Sequence, residues 1–218
     1  ELCQSPLKDE VRQDTTSSKL TQLKPVFKKN GTVTAGNASS LNDGAAFLAI
    51  ASHDYVKANK IKPLAKILSW SSSAGNPDYM GITPITAIQK LMKKMSINIS
   101  YFDLIEINEA FAATSVAVQQ TLKIDPNKLN VAGGAIALGH PIGCSGTRIL
   151  TTLAHQLIRT KQTFGVASLC IGRGQGLAMA IDRLSKYPVS NSLKASIFLC
   201  FASLFCSGNF IIGRLASV

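Results

Sequence analysis

The feature that most constrains this chain is the run Gly133–Gly146, which reads GGAIALGHPIGCSG. Five glycines, two alanines and a proline surround one histidine, His140. Small residues let backbone N–H groups approach a ligand closely and let the chain adopt positive φ. A histidine held there can move protons near neutral pH. Beyond it, Ser145, an N-cap type, opens a segment through Arg148, Ile149, Leu150, Leu153, Leu157 and Ile158 whose apolar positions recur at helical spacing. The histidine loop therefore feeds a helix N-terminus, a natural place for an anion or a developing oxyanion. Taken alone, the run reads equally well as a tight packing turn with an incidental histidine. The decision rests on what else converges on it.

Composition narrows the classes. The chain has 218 residues, 46% hydrophobic and 16% charged, which makes it globular and long enough for one good core. Its net charge of +11 raises nucleic acid as a partner. However, the basic residues are dispersed, Lys28–Lys29 and Lys93–Lys94 are the only adjacent pairs, and no nucleic-acid-binding motif accompanies them. A field that draws in a phosphate-bearing metabolite accounts for the charge at least as well. Five cysteines with no CxxC spacing argue against a disulfide framework or a zinc site, and the three histidines have no metal-ligand spacing. No metal is expected. Glu1 is not a start methionine and the first residues form no signal peptide, so the chain is expected to be a fragment of a longer protein.

In order along the chain, residues 1–31 are polar and lysine-rich, with a short helix expected over Ser18–Leu23, before Pro25. Residues 31–42 form a β-prone run and a small-residue loop, and Asn42 is placed to cap a helix ending near Asn59. Residues 63–70 read as a strand, 71–81 as a loop, and Thr83 as the cap of a helix with Pro84 in its first turn. Residues 102–107 read as a buried strand running into Asn108 and a helix to about Lys123, and 130–132 as a short strand before the histidine loop. Residues 165–170, the turn IGRGQG and residues 177–181 read as a hairpin. Strand–helix repeats closed by a hairpin give an α/β domain, a mixed sheet with helices on both faces. Residues 195–212 are uncharged and only just long enough to span a bilayer; interrupting Ser, Gly and Asn residues favour a hydrophobic extension without a membrane role.

Asn108, His140 and Cys170 each stand at the end of an element beside small residues, where α/β sheets gather their sites. A thiol beside an imidazole suits thiolate chemistry or proton exchange, and an amide can hold a water or donate to an oxyanion. With their flanking words, NEAF (108–111), GGAIALGHPIGCSG (133–146) and CIGRGQG (170–176), they resemble the C-terminal half of the thiolases. Those enzymes exchange acyl groups between coenzyme A thioesters. The resemblance extends over GTVTAGNASSLNDGAA (31–46), back to Arg12, and on to Leu184.

That resemblance implies a thiolase-like fold, here the C-terminal half of an αβαβα layered architecture. It divides the chain into the end of a loop domain (1–41), a C-terminal domain (42–184) and a tail without family counterpart (185–218). It implies that His140 polarises a nucleophilic cysteine and binds the thioester oxygen, that Asn108 holds the water completing that oxyanion hole, that Cys170 is the acid/base at the α-carbon, and that the Gly172 N–H serves a second oxyanion hole. Ser39 would contact the pantetheine arm, Met80 and Phe111 would line the acyl pocket, and Arg12 would lie near the adenine of CoA. No permanent cofactor is implied; a coenzyme A thioester is the substrate, and the longer protein would be a homodimer or tetramer, cytoplasmic, or alternatively of the mitochondrial matrix or peroxisome.

Three departures stand out. The family's nucleophilic cysteine belongs to the N-terminal half; Cys3 faintly echoes its motif, but Gln4 and Pro6 replace glycines, and an ordinary exposed thiol is the favoured reading. This chain alone is therefore expected to lack thiolytic activity. Arg173 replaces a glycine usual after Cys170 and would be strained at positive φ. The tail is the third. Two rivals remain: a ketoacyl-synthase-like condensing enzyme, against which Asn108 and Cys170 argue because those enzymes carry a second histidine in place of NEAF, and a non-catalytic CoA-binding or membrane-tethered protein.

Overall fold

Helical and strand periods sort the described residues onto the two faces of one sheet. The structure is a computed structural model that describes residue 12, residues 14–184 and the backbone of 197–201. Its elements are α1 (Ser17–Thr21), β1 (Leu48–Ser52), α2 (His53–Ala58), β2 (Ala65–Ala74), α3 (Thr83–Met95), β3 (Leu104–Ile107), α4 (Ala112–Leu122), α5 (Ala135–Leu138), α6 (Ser145–Arg159), β4 (Phe164–Ile171), β5 (Gln175–Asp182) and β6 (Ile197–Phe201). The strands lie in the order β1-β6-β2-β5-β4-β3. Only β3 and β4 run parallel; every other neighbouring pair is antiparallel, so the sheet is mixed, as expected.

Alternation along the strands divides the core. Ile105 and Ile107 of β3, Val166 of β4, and Ala178 and Ala180 of β5 pack against Ala87, Ile88 and Leu91 of α3 and Val118 and Leu122 of α4. Leu104, Ala167, Ile181 and Ile67 face the other way, onto Ile149, Leu150, Leu153, Ala154 and Leu157 of α6. The buried positions of α6 recur at i, i+1, i+4, i+5 and i+8, one stripe of a 3.6-residue helix. Truncating Leu153, fully buried between α6 and the sheet, would cost about 2–5 kcal/mol. On this face β3 also carries an ionisable side chain: Glu106 is only 2% exposed.

Several local expectations are corrected. The helix expected from Asn42 to Asn59 is a strand followed by one short helix, β1 then α2. The alternating run LAIAS suits a strand, and Ser52, not Asn42, caps the helix through its side chain on the Tyr55 N–H. Strand β2 continues to Ala74 through what reads as a loop, because Ser71–Ala74 pair with β5. Thr83 is not a side-chain cap; its hydroxyl lies on the carbonyls of Met80 and Gln175. Residues 130–132 form a turn, with Leu129 making a single bridge to Ile105. Among the described residues no helix is long and apolar enough to cross a membrane. Of the hydrophobic run 195–212, only the backbone of β6, seated between β1 and β2, is described; the remainder, like Cys3, lies outside the described residues.

Candidate active site

The parallel strands β3 and β4 finish at the same end of the sheet, and Asn108 and Cys170 stand there. Asn108 follows β3 directly, and its N–H extends the ladder by one bond, to the Ser168 carbonyl at 3.0 Å. It is fully buried. Cys170 lies two residues beyond Ser168, at the end of β4. The NEAF residues thus sit between β3 and α4, which begins only at Ala112.

An extended segment, residues 38–42, stitches the two site loops together. Ala38 bridges Phe111, and Leu41 bridges His140. The His140 N–H donates to the Ser40 carbonyl at 3.1 Å and to Asn42 Oδ1 at 3.2 Å. Gly139 makes this approach possible: its φ of +94° and ψ of 164° belong to a region almost restricted to glycine, and a Cβ there would fall on the Asn42 carboxamide. Gly134 is needed for closeness of another kind, since a Cβ would fall on the Glu109 carboxylate. That carboxylate accepts from Asn130 Nδ2 at 2.9 Å and from the Ile136 N–H at 3.2 Å, holding the loop from beneath.

His140 is half-buried, with both ring nitrogens engaged. Nε2 lies 3.3 Å from Asn108 Nδ2, and Nδ1 lies 2.6 Å from Ser145 Oγ. Ser145 is not the N-cap expected from its type; Cys144 holds that position, and the Ser145 hydroxyl donates to the Pro141 carbonyl at 2.9 Å. Arg148, one turn into α6, donates from Nη2 to Asn108 Oδ1 at 3.4 Å. Burial lowers the His140 pKa, and the Arg148 cation lowers it further, so the imidazole is held neutral. Burial pushes Glu106 up to about 8, against a smaller pull from Arg148.

The Cys170 side is built differently. The thiol is half-buried, burial raises its pKa, and no hydrogen bond joins it to His140 or Asn108 among the described residues. The turn after it carries Arg173 at φ 64°, the strained conformation expected for a side chain at a glycine position. Gly174, at φ 84°, backs directly against the Gly75 carbonyl, and Gly172 is exposed with nothing near its α-carbon.

The other expected residues divide. Met80 and Phe111 line one apolar cavity of about 380 Å³ with Phe27, Val33 and Tyr79. Ser39 lies beside Phe111, its hydroxyl donating to the Ala110 carbonyl at 3.0 Å. Arg12 is exposed, 3.8 Å from Asp14, and makes no contact with the site among the described residues. Sequence reasoning missed Asn42, Glu106, Glu109, Arg148 and the engagement of Ser145 with the imidazole. Two signals were available: a carboxylate inside the apolar word LIEI, and an arginine one position before the apolar stripe of α6.

A neutral imidazole, a buried amide and a thiol at one end of the sheet, beside an apolar cavity, make the equipment of thioester chemistry. Comparison with known proteins identifies the family. The family model for the thiolase C-terminal domain matches residues 61–183, and that for the thiolase N-terminal domain matches 5–54. The chain belongs to the thiolase family. It is 51% identical over 177 residues to a probable acetyl-CoA acyltransferase of Staphylococcus aureus (strain NCTC 8325 / PS 47), covering 81% of this chain and 45% of that protein. Among solved structures, the acetyl-CoA acetyltransferase of Bacillus anthracis superposes with a TM-score of 0.78 at 48% identity, over 80% of this chain and 45% of that one. Human mitochondrial 3-ketoacyl-CoA thiolase in complex with CoA superposes with a TM-score of 0.76 at 44% identity, over 81% and 45%. The chain thus spans about half the length of the relatives it matches.

Proposed function

We propose that this chain carries the proton-transfer half of a thiolase-type acyltransferase, one that reversibly condenses two acyl-CoA molecules or cleaves a 3-ketoacyl-CoA with CoA. The observation that carries the reading is the placement of neutral His140 against buried Asn108 at the end of the sheet where β4 delivers Cys170. His140 Nε2 accepts the proton of a nucleophilic thiol contributed from outside these residues, and the N–H so formed donates to the thioester oxygen. Asn108 completes that oxyanion site by holding a water. In condensation, Cys170 acts as thiolate, taking the α-proton of the second acyl-CoA; in thiolysis the protonated thiol returns it. The exposed N–H of Gly172 steadies the enolate oxygen.

The cavity lined by Met80 and Phe111 suits the apolar stretch of the substrate, and Ser39, with lone pairs left after donating to Ala110, can accept from a pantetheine amide. Arg12, exposed at the surface, is available to the adenine end of CoA. The longer protein is read as a homo-oligomer, and the residues of its other half help set acyl chain length.

The test uses the 218-residue chain itself. Exchange of the acetyl-CoA α-protons for deuterium needs a base and an oxyanion site but no acylated nucleophile. Proton NMR of acetyl-CoA in D₂O should show exchange with the chain and only background with Cys170→Ala. Equal rates for the two would overturn the assignment of Cys170, and CoA binding without exchange would favour a non-catalytic role.

A further inference from the structure

Hydrogen bonds run from α6 to His140 and back to α6. Followed from either end, they leave one arrangement of protons. At one end, the Ser145 hydroxyl has a single hydrogen, and it lies on the Pro141 carbonyl at 2.9 Å. The oxygen of Ser145 must then accept at 2.6 Å from His140 Nδ1, which carries the proton. At the other end, a guanidinium offers only donors, so the Asn108 atom 3.4 Å from Arg148 Nη2 has to be the carboxamide oxygen. The amide nitrogen is thereby turned to His140 Nε2 at 3.3 Å, and Nε2 can only accept. The two ends agree without sharing a group.

Arg148 decides the matter, because the remaining links are reversible without it. A serine hydroxyl can swing to donate to Nδ1, and an asparagine can flip to offer its oxygen to an Nε2–H. With Arg148 in place, that flip would set the amide N–H against the guanidinium N–H, donor against donor. Its own position is fixed by burial along α6, one residue before Ile149, which is 1% exposed.

We propose that Arg148 is a positioning residue: by donating to Asn108 Oδ1 it fixes the orientation of that carboxamide and, through it, the Nδ1–H tautomer of His140. The geometry stands by itself; its consequence for catalysis rests on the acyl-transfer reading above. In that reading, the lone pair on Nε2 takes the thiol proton by giving up the long 3.3 Å contact from Asn108 Nδ2. The transfer leaves a thiolate and an imidazolium whose Nδ1–H stays on Ser145; its protonated Nε2 no longer accepts from Asn108, and the amide N–H is released to donate to a water or an oxyanion. The opposite tautomer would present a proton where a base is required. The charged group acting directly on His140 is Arg148 on α6, and the titratable groups acting on Arg148 are Glu106 on β3, Glu109 after it, and Cys144 at the start of α6.

The test is spectroscopic and needs no turnover. In the chain labelled with ¹⁵N-histidine, long-range proton–nitrogen spectra above the His140 pKa should show a protonated-type Nδ1 and an unprotonated-type Nε2. In Arg148→Gln, whose amide can accept as well as donate, both nitrogens should move to averaged positions, and the His140 pKa should rise with loss of the neighbouring cation. Arg148→Lys, still donor-only, should restore the single tautomer. Amide spectra of the sheet, compared across variants, confirm the fold. An Nε2–H tautomer in the parent chain, or an unchanged tautomer in a folded Arg148→Gln, would overturn the proposal. Failure of acetyl-CoA exchange with the tautomer as described would instead overturn the functional reading.

Discussion

The histidine corner and the cysteine turn lie at the same end of one sheet and are held by opposite means. Around His140 the constraints are side chains: Arg148 bonds to Asn108, and Asn108 and Ser145 each bond to the imidazole, with Glu109 and Asn42 fixing the loop beneath. Around Cys170 they are backbone: the β4–β5 ladder runs up to the turn, and Gly174 bonds through its carbonyl to the Gly75 N–H at 2.8 Å. The first corner fixes a protonation state. The second leaves a thiol with no hydrogen bond to His140 or Asn108 among the described residues, raised by burial against a smaller pull from a backbone hydrogen bond. In the proposed reaction the two need those different designs, since His140 must present one nitrogen in one state, whereas Cys170 must both release and regain a proton.

The largest expected effect tests that division. In a protein supplied with its nucleophile, Cys170→Ala should slow α-proton exchange by roughly 10²–10⁴-fold while leaving acylation of the nucleophile intact. Loss of acylation with exchange retained would exchange the roles of the two corners. Because burial raises the Cys170 pKa, exchange in the parent should climb with pH through and beyond neutrality as thiolate forms.

A second contrast lies in Glu106, buried on the histidine side. Its pKa rises from 4.5 to about 8 on folding, with burial the main cause. Between those values the unfolded chain has released the proton and the folded one retains it, so stability falls as pH rises. The loss amounts to on the order of 5 kcal/mol by the time the folded carboxyl ionises. Chemical denaturation between pH 5 and pH 8 should show this decline, and Glu106→Gln should flatten it. A parent profile already flat would place a charged Glu106 against Arg148.

The same contrast explains what was legible in the sequence. Glycines, prolines and apolar periods act locally, so the histidine loop, helices α3 and α6, the β4–β5 hairpin and the mixed sheet could be read directly. The failures came where tertiary pairing overrode local signals. Residues 71–74 look like a loop and become strand because β5 lies beside them, and Asn42 looks like a helix cap and becomes a support for the His140 backbone. Arg148 reads as one more polar helix position, since only the fold brings α6 against the end of β3, 40 residues earlier.

Gly139→Ala should cost about 1–3 kcal/mol in backbone strain alone, with more from displacing Asn42. Urea denaturation would measure the loss, and the His140 ring resonances should shift with it. An unperturbed variant would mean that the loop tolerates a relaxed backbone and that the histidine corner is less rigidly built than its bonds imply.

The smallest effect is expected on the cysteine side and has the opposite sign. Arg173 occupies a left-handed conformation with an exposed side chain, and among the described residues no ion pair or hydrogen bond holds its guanidinium. Arg173→Gly removes the Cβ strain, worth about 1–2 kcal/mol, and returns part of that as extra freedom of the unfolded chain. A net gain of roughly 0.5–1 kcal/mol should appear in denaturant midpoints. The substitution should leave the Cys170 titration where it was, followed by alkylation of that residue resolved by mass spectrometry, because burial and not the neighbouring cation raises it. A change in Cys170 reactivity as large as that produced at His140 by altering Arg148 would show that the turn, too, tunes its reactive group through a charged side chain, and the two corners would then differ in geometry but not in kind.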